Sequence, residues 1–241
     1  MKTALIRQPA GLGDILFTYK IAKKLITTGK VDIVYWPVNQ QYICLRDYIK
    51  DSKIVFVKEN DEFPYKEIYN QDPYKILDTP ELLYIPLQRA DNIISYKEIT
   101  GNHPMYCKYE LVNLSFFDWN EFINIERNVE RELVLEKYLN ITGKQFNLVN
   151  KTFGTPPGTA IARSVPFISD SVEITNLSFD NPFDWCSLFL KASEIHTVDT
   201  SFCYILAALK IKNVTVYSRN TVTDFRYINR ILPSDWKYIS L

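Results

Sequence analysis

Residues 3–36 read TALIRQPAGLGDILFTYKIAKKLITTGKVDIVYW, and this stretch decides the fold. Thr3 to Ile6 is a short apolar run suited to a buried strand, and Gly11-Leu12-Gly13-Asp14 reads as a turn. Beyond it Ile15, Leu16, Tyr19, Ile21, Ala22 and Leu25 recur at helical spacing, with Gly29 placed to close the helix. Val31 to Trp36 follows as a second strand. A strand, a helix and a strand in so short a span form a β-α-β unit, whose crossover implies a parallel sheet covered by helices.

Working outward, Lys53 to Val57 reads as a third strand, with Tyr42 to Ile49 in a short helix between. From Asn60 to Asp118 the prolines at 64, 73, 80, 86 and 104 interrupt the pattern, and Leu82–Ile85 and Asn92–Ser95 read as strands or loop edges. Asn113 to Tyr138 is predicted helical, with Phe116, Phe117, Ile123, Val129, Leu133, Val134 and Tyr138 lining one face. Its charged tail, Glu126 to Lys137, is expected to be a solvated face. After Gly143 the alternation restarts with strands at Phe146–Asn150, Val172–Ile174, Ile195–Val198 and Val214–Tyr217 and helices at Pro182–Leu190 and Phe202–Leu209. Two alternating halves around an irregular middle predict an α/β protein of two Rossmann-like lobes, residues 1–140 and 141–241.

The composition narrows the function classes. The 241 residues are 46% apolar and 23% charged, as in an ordinary globular protein, and 28 basic residues balance 28 acidic ones. No global positive field therefore draws in nucleic acid, and any anion site must be local. Cys44, Cys107, Cys186 and Cys203 lie far apart, without the paired spacings of zinc sites, and are expected to be reduced core thiols. Two histidines and no clustered acids imply no metal site. No apolar run has signal-peptide or membrane-spanning length, so a cytoplasmic location is expected.

Two stretches carry chemistry. In Gln8 to Asp14, Gly11 and Gly13 permit a sharp bend and close approach of another molecule, and the helix start that follows offers unpaired N–H groups. The pattern is not a complete G-x-G-x-x-G, because the third position is Leu16, nor is it a P-loop. The bland alternative is a tight turn with Asp14 as a helix cap. In Glu194 to Ser201, Asp199 ends a predicted strand where open α/β sheets bind ligands, and Thr200 and Ser201 supply hydroxyls at the next helix start. That suits a diphosphate; the alternative is again a helix cap. His196 inside the strand reads as a packing partner, and His103 as a loop residue.

Together, Gly11-Leu12-Gly13-Asp14-Ile15-Leu16 and the distant Val198-Asp199-Thr200-Ser201, followed by Ala207-Ala208-Leu209 and Val214-Thr215-Val216-Tyr217, resemble the heptosyltransferase-like glycosyltransferases of family 9. The resemblance covers about a third of the chain. It implies a compact GT-B fold, with an acceptor-side lobe over 1–140 and a nucleotide-sugar lobe over 141–241. It further implies an inverting, metal-independent glycosyl transfer in polysaccharide biosynthesis, with no cofactor beyond the nucleotide-sugar substrate. Asp14 becomes the candidate general base. Gly11, Gly13, Asp199, Thr200, Ser201 and Tyr204 become donor-binding candidates, with Lys151 and Arg163, which flank the Gly154–Gly158 loop, as cations for the diphosphate. The acceptor is expected to be a glycan or glycolipid, with peripheral membrane association. Where the family has Gly after Asp-Thr and His three positions later, this chain has Ser201 and Tyr204. A noncatalytic nucleotide- or glycan-binding module is the alternative function; a dinucleotide oxidoreductase is weakened by the missing third glycine.

Overall fold

The computed structural model describes residues 1–94, 104–154, 159–174, 181–219 and 225–241, without the side chains of 104, 226 and 227. His103, Ser95 and positions 155–158 of the Pro- and Gly-rich loop lie outside the described residues. The chain divides into two compact units, Met1–Glu126 and Arg127–Leu241.

In the first unit β1 (Thr3–Ile6), β2 (Ile33–Val38), β3 (Ile54–Lys58), β4 (Leu77–Asp78) and β5 (Leu82–Ile85) form one sheet in the order β3-β2-β1-β5-β4. All pairings are parallel except β4 with β5. The central strand β1 is buried along its whole length, as an apolar run without alternation requires. After it α1 (Leu12–Thr27) buries Ile15, Leu16, Tyr19, Ile21, Ala22 and Leu25, and Gly29 ends it with φ 69°. α2 (Leu45–Tyr48), α3 (Lys66–Gln71), α4 (Ala90–Ile93) and α5 (Pro104–Glu110) complete the unit. Leu82–Ile85 is thus a strand, whereas the described part of Asn92–Ser95 ends a helical turn and continues no strand.

The boundary falls before the expected 140/141 division because α6 (Val129–Tyr138) packs against α7 (Cys186–Lys191) in the second unit. The long helix predicted over Asn113–Tyr138 is not formed. Residues 111–118 make loop and turns, Trp119–Phe122 is a single 3-10 turn, and Phe116 stacks on Tyr106 with ring centroids 4.5 Å apart. Val129, Leu133, Val134 and Tyr138 are exposed, and α6 buries Glu132, Leu135 and Glu136 instead. The expected solvated face is therefore the docked one. Its charges are compensated: Arg127 pairs with Glu132 at 2.5 Å, Arg131 with Asp184 at 2.6 Å and Lys191 with Glu136 at 2.5 Å.

The second unit's sheet contains β6 (Asn147–Asn150), β9 (Ser171–Glu173), β10 (Ile195–Val198), β11 (Val214–Tyr217) and β12 (Lys237–Ile239), all parallel, in the order β12-β11-β10-β6-β9. β7 (Thr152–Phe153) and β8 (Ala160–Ile161) pair as a separate antiparallel ribbon. α8 (Ser201–Ala208) follows β10, and α9 (Phe225–Ile231) follows β11. Chain order 1-2-3-4-5 thus maps onto sheet order 2-1-3-4-5, the flavodoxin-like winding. Each unit is a Rossmann-like α/β body. Cys107, Cys186 and Cys203 are buried free thiols, as expected, whereas Cys44 is only half-buried. No helix among the described residues is long and apolar enough to cross a membrane.

Candidate functional site

Open parallel sheets bind ligands at the carboxyl ends of their strands, at the point where successive connections leave in opposite directions. In the first unit that point lies between β1 and β5, and the chain leaving β1 there is Arg7 to Gly11. Gly11 occupies the N-cap position of α1 with φ 81° and offers no side-chain cap. Gly13 is helical, so only one of the two glycines makes the bend. Asp14 stands in the first helical turn and is not the cap. Its negative charge there complements the helix dipole.

The Asp14 carboxylate is held from outside its own helix. Lys108 on α5 places its ammonium 2.7 Å from Asp14 Oδ1 and also donates to Gln8 Oε1. Gln8 in turn donates from Nε2 to the Ala10 carbonyl at 2.6 Å, and its own carbonyl accepts from the Trp36 indole at 3.2 Å. Lys108 is only 8% exposed and Gln8 only 5%, while the Asp14 side chain is 35% exposed. The buried frame ends on a group that solvent or a ligand can reach. Gly11 belongs to the same arrangement, since a Cβ there would fall 2.4 Å from Asp14 Oδ2.

Beside this frame Arg7 and Arg89 share the Asp72 carboxylate. Arg89 donates to Oδ2 at 2.6 Å, and the 2.9 Å approach of Arg7 Nε to Oδ1 is a charge contact rather than an aligned hydrogen bond. Arg7 also donates to the Tyr69 carbonyl and lies over the Tyr69 ring.

In the second unit the switch point lies between β6 and β10. Asn150, at the end of β6 and fully enclosed, donates from Nδ2 to Thr197 Oγ1 at 3.1 Å and to Thr200 Oγ1 at 3.3 Å. The Thr200 hydroxyl therefore accepts within the protein and keeps its own proton to donate. Thr200 is the N-cap residue of α8, without a side-chain cap bond; its carbonyl accepts from the Cys203 N–H at 3.0 Å, and the N–H groups of Ser201 and Phe202 at the helix start have no intrahelical partners. Asp199 immediately follows β10, and its main-chain carbonyl accepts two bonds from the Arg219 guanidinium, at 3.0 and 2.8 Å. Arg219 follows β11, is exposed, and lies over the Phe153 ring.

The sequence-predicted residues of this unit separate into two groups. Asp199, Thr200 and Ser201 sit together at the strand end, and Lys151 follows Asn150 there, with its ammonium 3.4 Å from Glu173. Arg163 is exposed just beyond β8, and Tyr204 is buried within α8. His196 is a packing residue, as expected: its Nδ1 lies 3.1 Å from the Tyr217 hydroxyl on the neighbouring strand. Burial pushes the Cys203 thiol upward, the Asp199 charge adds to this, and the group is an inert core thiol. No trio of His, Cys, Asp or Glu side chains that could hold a metal ion occurs among the described residues.

Lys108, Asn150 and Arg219 carry these sites without having been singled out from the sequence as functional. Arg219 had a signal, a basic residue just past an apolar strand. Lys108 had none, because its partners lie far away in the chain.

Each of the two units is a Rossmann-like body with polar groups at its switch point, and the chain shares its fold with solved GT-B glycosyltransferases of family 9. No family model and no curated protein matches the sequence. Among solved structures the chain is similar to a glycosyl transferase family 9 protein from Veillonella parvula DSM 2008, with 8% identity, 98% of this chain and 86% of that one covered, and a TM-score of 0.60. It is also similar to the iron-containing dodecameric glycosyltransferase TibC of enterotoxigenic E. coli H10407 (9% identity, TM-score 0.53), of which it spans 58% while 90% of this chain is covered. TibC is known in complex with ADP-D-beta-D-heptose. A third is the E. coli ADP-heptose LPS heptosyltransferase II, with 6% identity, complete coverage of this chain and 91% of the other, and a TM-score of 0.51. At such identities the likeness is one of fold.

Proposed function

We propose that the chain is a glycosyltransferase that moves a sugar from a nucleotide-sugar donor to a hydroxyl of a glycan or glycolipid acceptor, with inversion at the anomeric carbon. The observation that carries this reading is the Asp14 carboxylate, fixed by buried groups yet open to solvent at the ligand-binding end of a Rossmann-like unit. A carboxylate so placed can take the acceptor's proton as the new bond forms. The donor's diphosphate is assigned to the second unit. There the Thr200 and Ser201 hydroxyls and the start of α8 supply donors, Arg219 and Lys151 supply charge, and Asp199 orients the turn. Arg163 and Tyr204 remain as more peripheral candidates; Gly11 keeps the loop before α1 open to a ligand, and Gly13 leaves the first turn of α1 without a side chain there.

No step in this reading needs a metal ion or a cofactor. The reaction is placed in the cytoplasm, peripheral to a membrane where the acceptor is a glycolipid. The nucleotide-sugar is inferred from the fold and from the ADP-heptose bound by TibC.

Asp14→Asn keeps the shape of the side chain and removes its basicity. Donor binding, followed by calorimetry, is expected to be unchanged, while transfer falls by about 10²- to 10⁴-fold. The Asp14–Lys108 ion pair also suits a carboxylate retained for structure. A wild-type protein that binds donor and never transfers or hydrolyses it would support a noncatalytic binding module.

A further inference from the structure

Lysine is rarely buried unless a carboxylate and hydrogen bonds compensate its charge, and Lys108 has both at the first turn of α1. We propose that Lys108 is a positioning residue, one that pins Oδ1 of Asp14 so that Oδ2 is the oxygen that takes the acceptor proton. This rests on the reading of Asp14 as the base. Three features of the unit support it. The ammonium is itself located by the enclosed Gln8 side-chain amide, which is tied to the Ala10 carbonyl while the Gln8 main-chain carbonyl accepts from the Trp36 indole, so its position does not depend on Asp14 alone. A Cβ at Gly11 would fall 2.4 Å from Oδ2, and glycine leaves that space free. Finally, the closest approach of the Lys108 ammonium to the carboxylate is to Oδ1, at 2.7 Å.

In the step so described the acceptor O–H proton goes to Asp14 Oδ2. The oxygen's electron pair forms the bond to the anomeric carbon. The bond from that carbon to the diphosphate breaks, and its electron pair leaves on the nucleoside diphosphate. Lys108 changes no bond. It restricts the carboxylate to one orientation, and losing such an orientation is costly in rate even when binding is intact.

The test combines turnover with unfolding in Lys108→Met, Asp14→Asn and the double variant, using ADP-D-β-D-heptose as the donor probe and ADP release as the signal. Lys108→Met is expected to lower kcat about tenfold or more, leave the donor KM within about twofold, and add nothing in the Asp14→Asn background. Urea unfolding of the same set is expected to show non-additive equilibrium constants, by about tenfold. An equal loss of rate in both backgrounds would reduce Lys108 to a structural role, and additive unfolding would show that the pair is not formed; either overturns the proposal. If the wild type releases no nucleotide from any member of a panel of ADP-, GDP-, UDP- and CMP-sugars, or Asp14→Asn turns over like wild type, the reading of Asp14 as base fails and the positioning role falls with it. The unfolding cycle still reports separately whether Lys108 and Asp14 are coupled.

Discussion

A side chain at Gly11 is disfavoured for two reasons that reinforce each other. Its φ of 81° is a conformation that residues with a Cβ adopt only under strain, and a Cβ there would meet the Asp14 carboxylate. Gly11→Ala is expected to destabilise the protein by about 1–3 kcal/mol, measured by urea unfolding, because backbone strain and displacement of a paired carboxylate add together. A change under 0.5 kcal/mol would show that the loop relaxes freely. Residues that act locally in this way are legible in sequence: a glycine before an apolar helix and an Asp-Thr-Ser after an apolar strand both announce a strand end. Residues that act through distant partners are not. Gln8 and Lys108 are 100 positions apart, and nothing in the local pattern of Met105 to Glu110 marks Lys108 as the member that turns inward. Asn150 was visible as the end of a strand, but its bonds to Thr197 and Thr200 depend on β6 and β10 being neighbours.

At the scale of elements α6 is the instructive case. Apolar spacing predicted that Val129, Leu133 and Tyr138 would be the buried side, yet the helix docks through Glu132 and Glu136. Periodicity assumes that burial follows hydrophobicity, and it fails where a buried carboxylate finds a cation and a hydroxyl on the partner helix. Burial works against the charge on Glu136, but the Lys191 ammonium and the Ser187 hydroxyl outweigh it and hold the carboxyl below its usual range. A carboxyl depressed on folding contributes stability above its unfolded value of 4.5 and loses that contribution as pH falls through its lower folded value. Glu136→Gln is therefore expected to be about 1–3 kcal/mol less stable than wild type at pH 7, with the gap narrowing below pH 4.5. Denaturation curves at pH 7 and pH 3.5 check this, and a gap that does not change with pH would contradict it. By contrast β1, β2, β3, β6, β9, β10 and β11 are legible to within about two residues, and β5 as a strand or loop edge, because an apolar run bounded by Gly, Asp or Asn is a local signal, whereas the two-residue β4 is not. β12 and the β7–β8 ribbon were not, being short and only partly buried.

At the scale of the molecule, the balanced charge means that anion recognition must come from placed groups rather than from a field. The second unit supplies such a place at its switch point, with hydroxyls, main-chain N–H groups and Arg219, whereas the switch point of the first ends in a carboxylate. The central claim, that the second unit binds a nucleotide-sugar, is tested most directly by thermal unfolding against a panel of ADP-, GDP-, UDP- and CMP-sugars. A donor present at 100 times its dissociation constant is expected to stabilise the folded state by about 2.7 kcal/mol, seen as a raised Tm for at least one member of the panel. A Tm unchanged by every member at millimolar concentration would contradict the account.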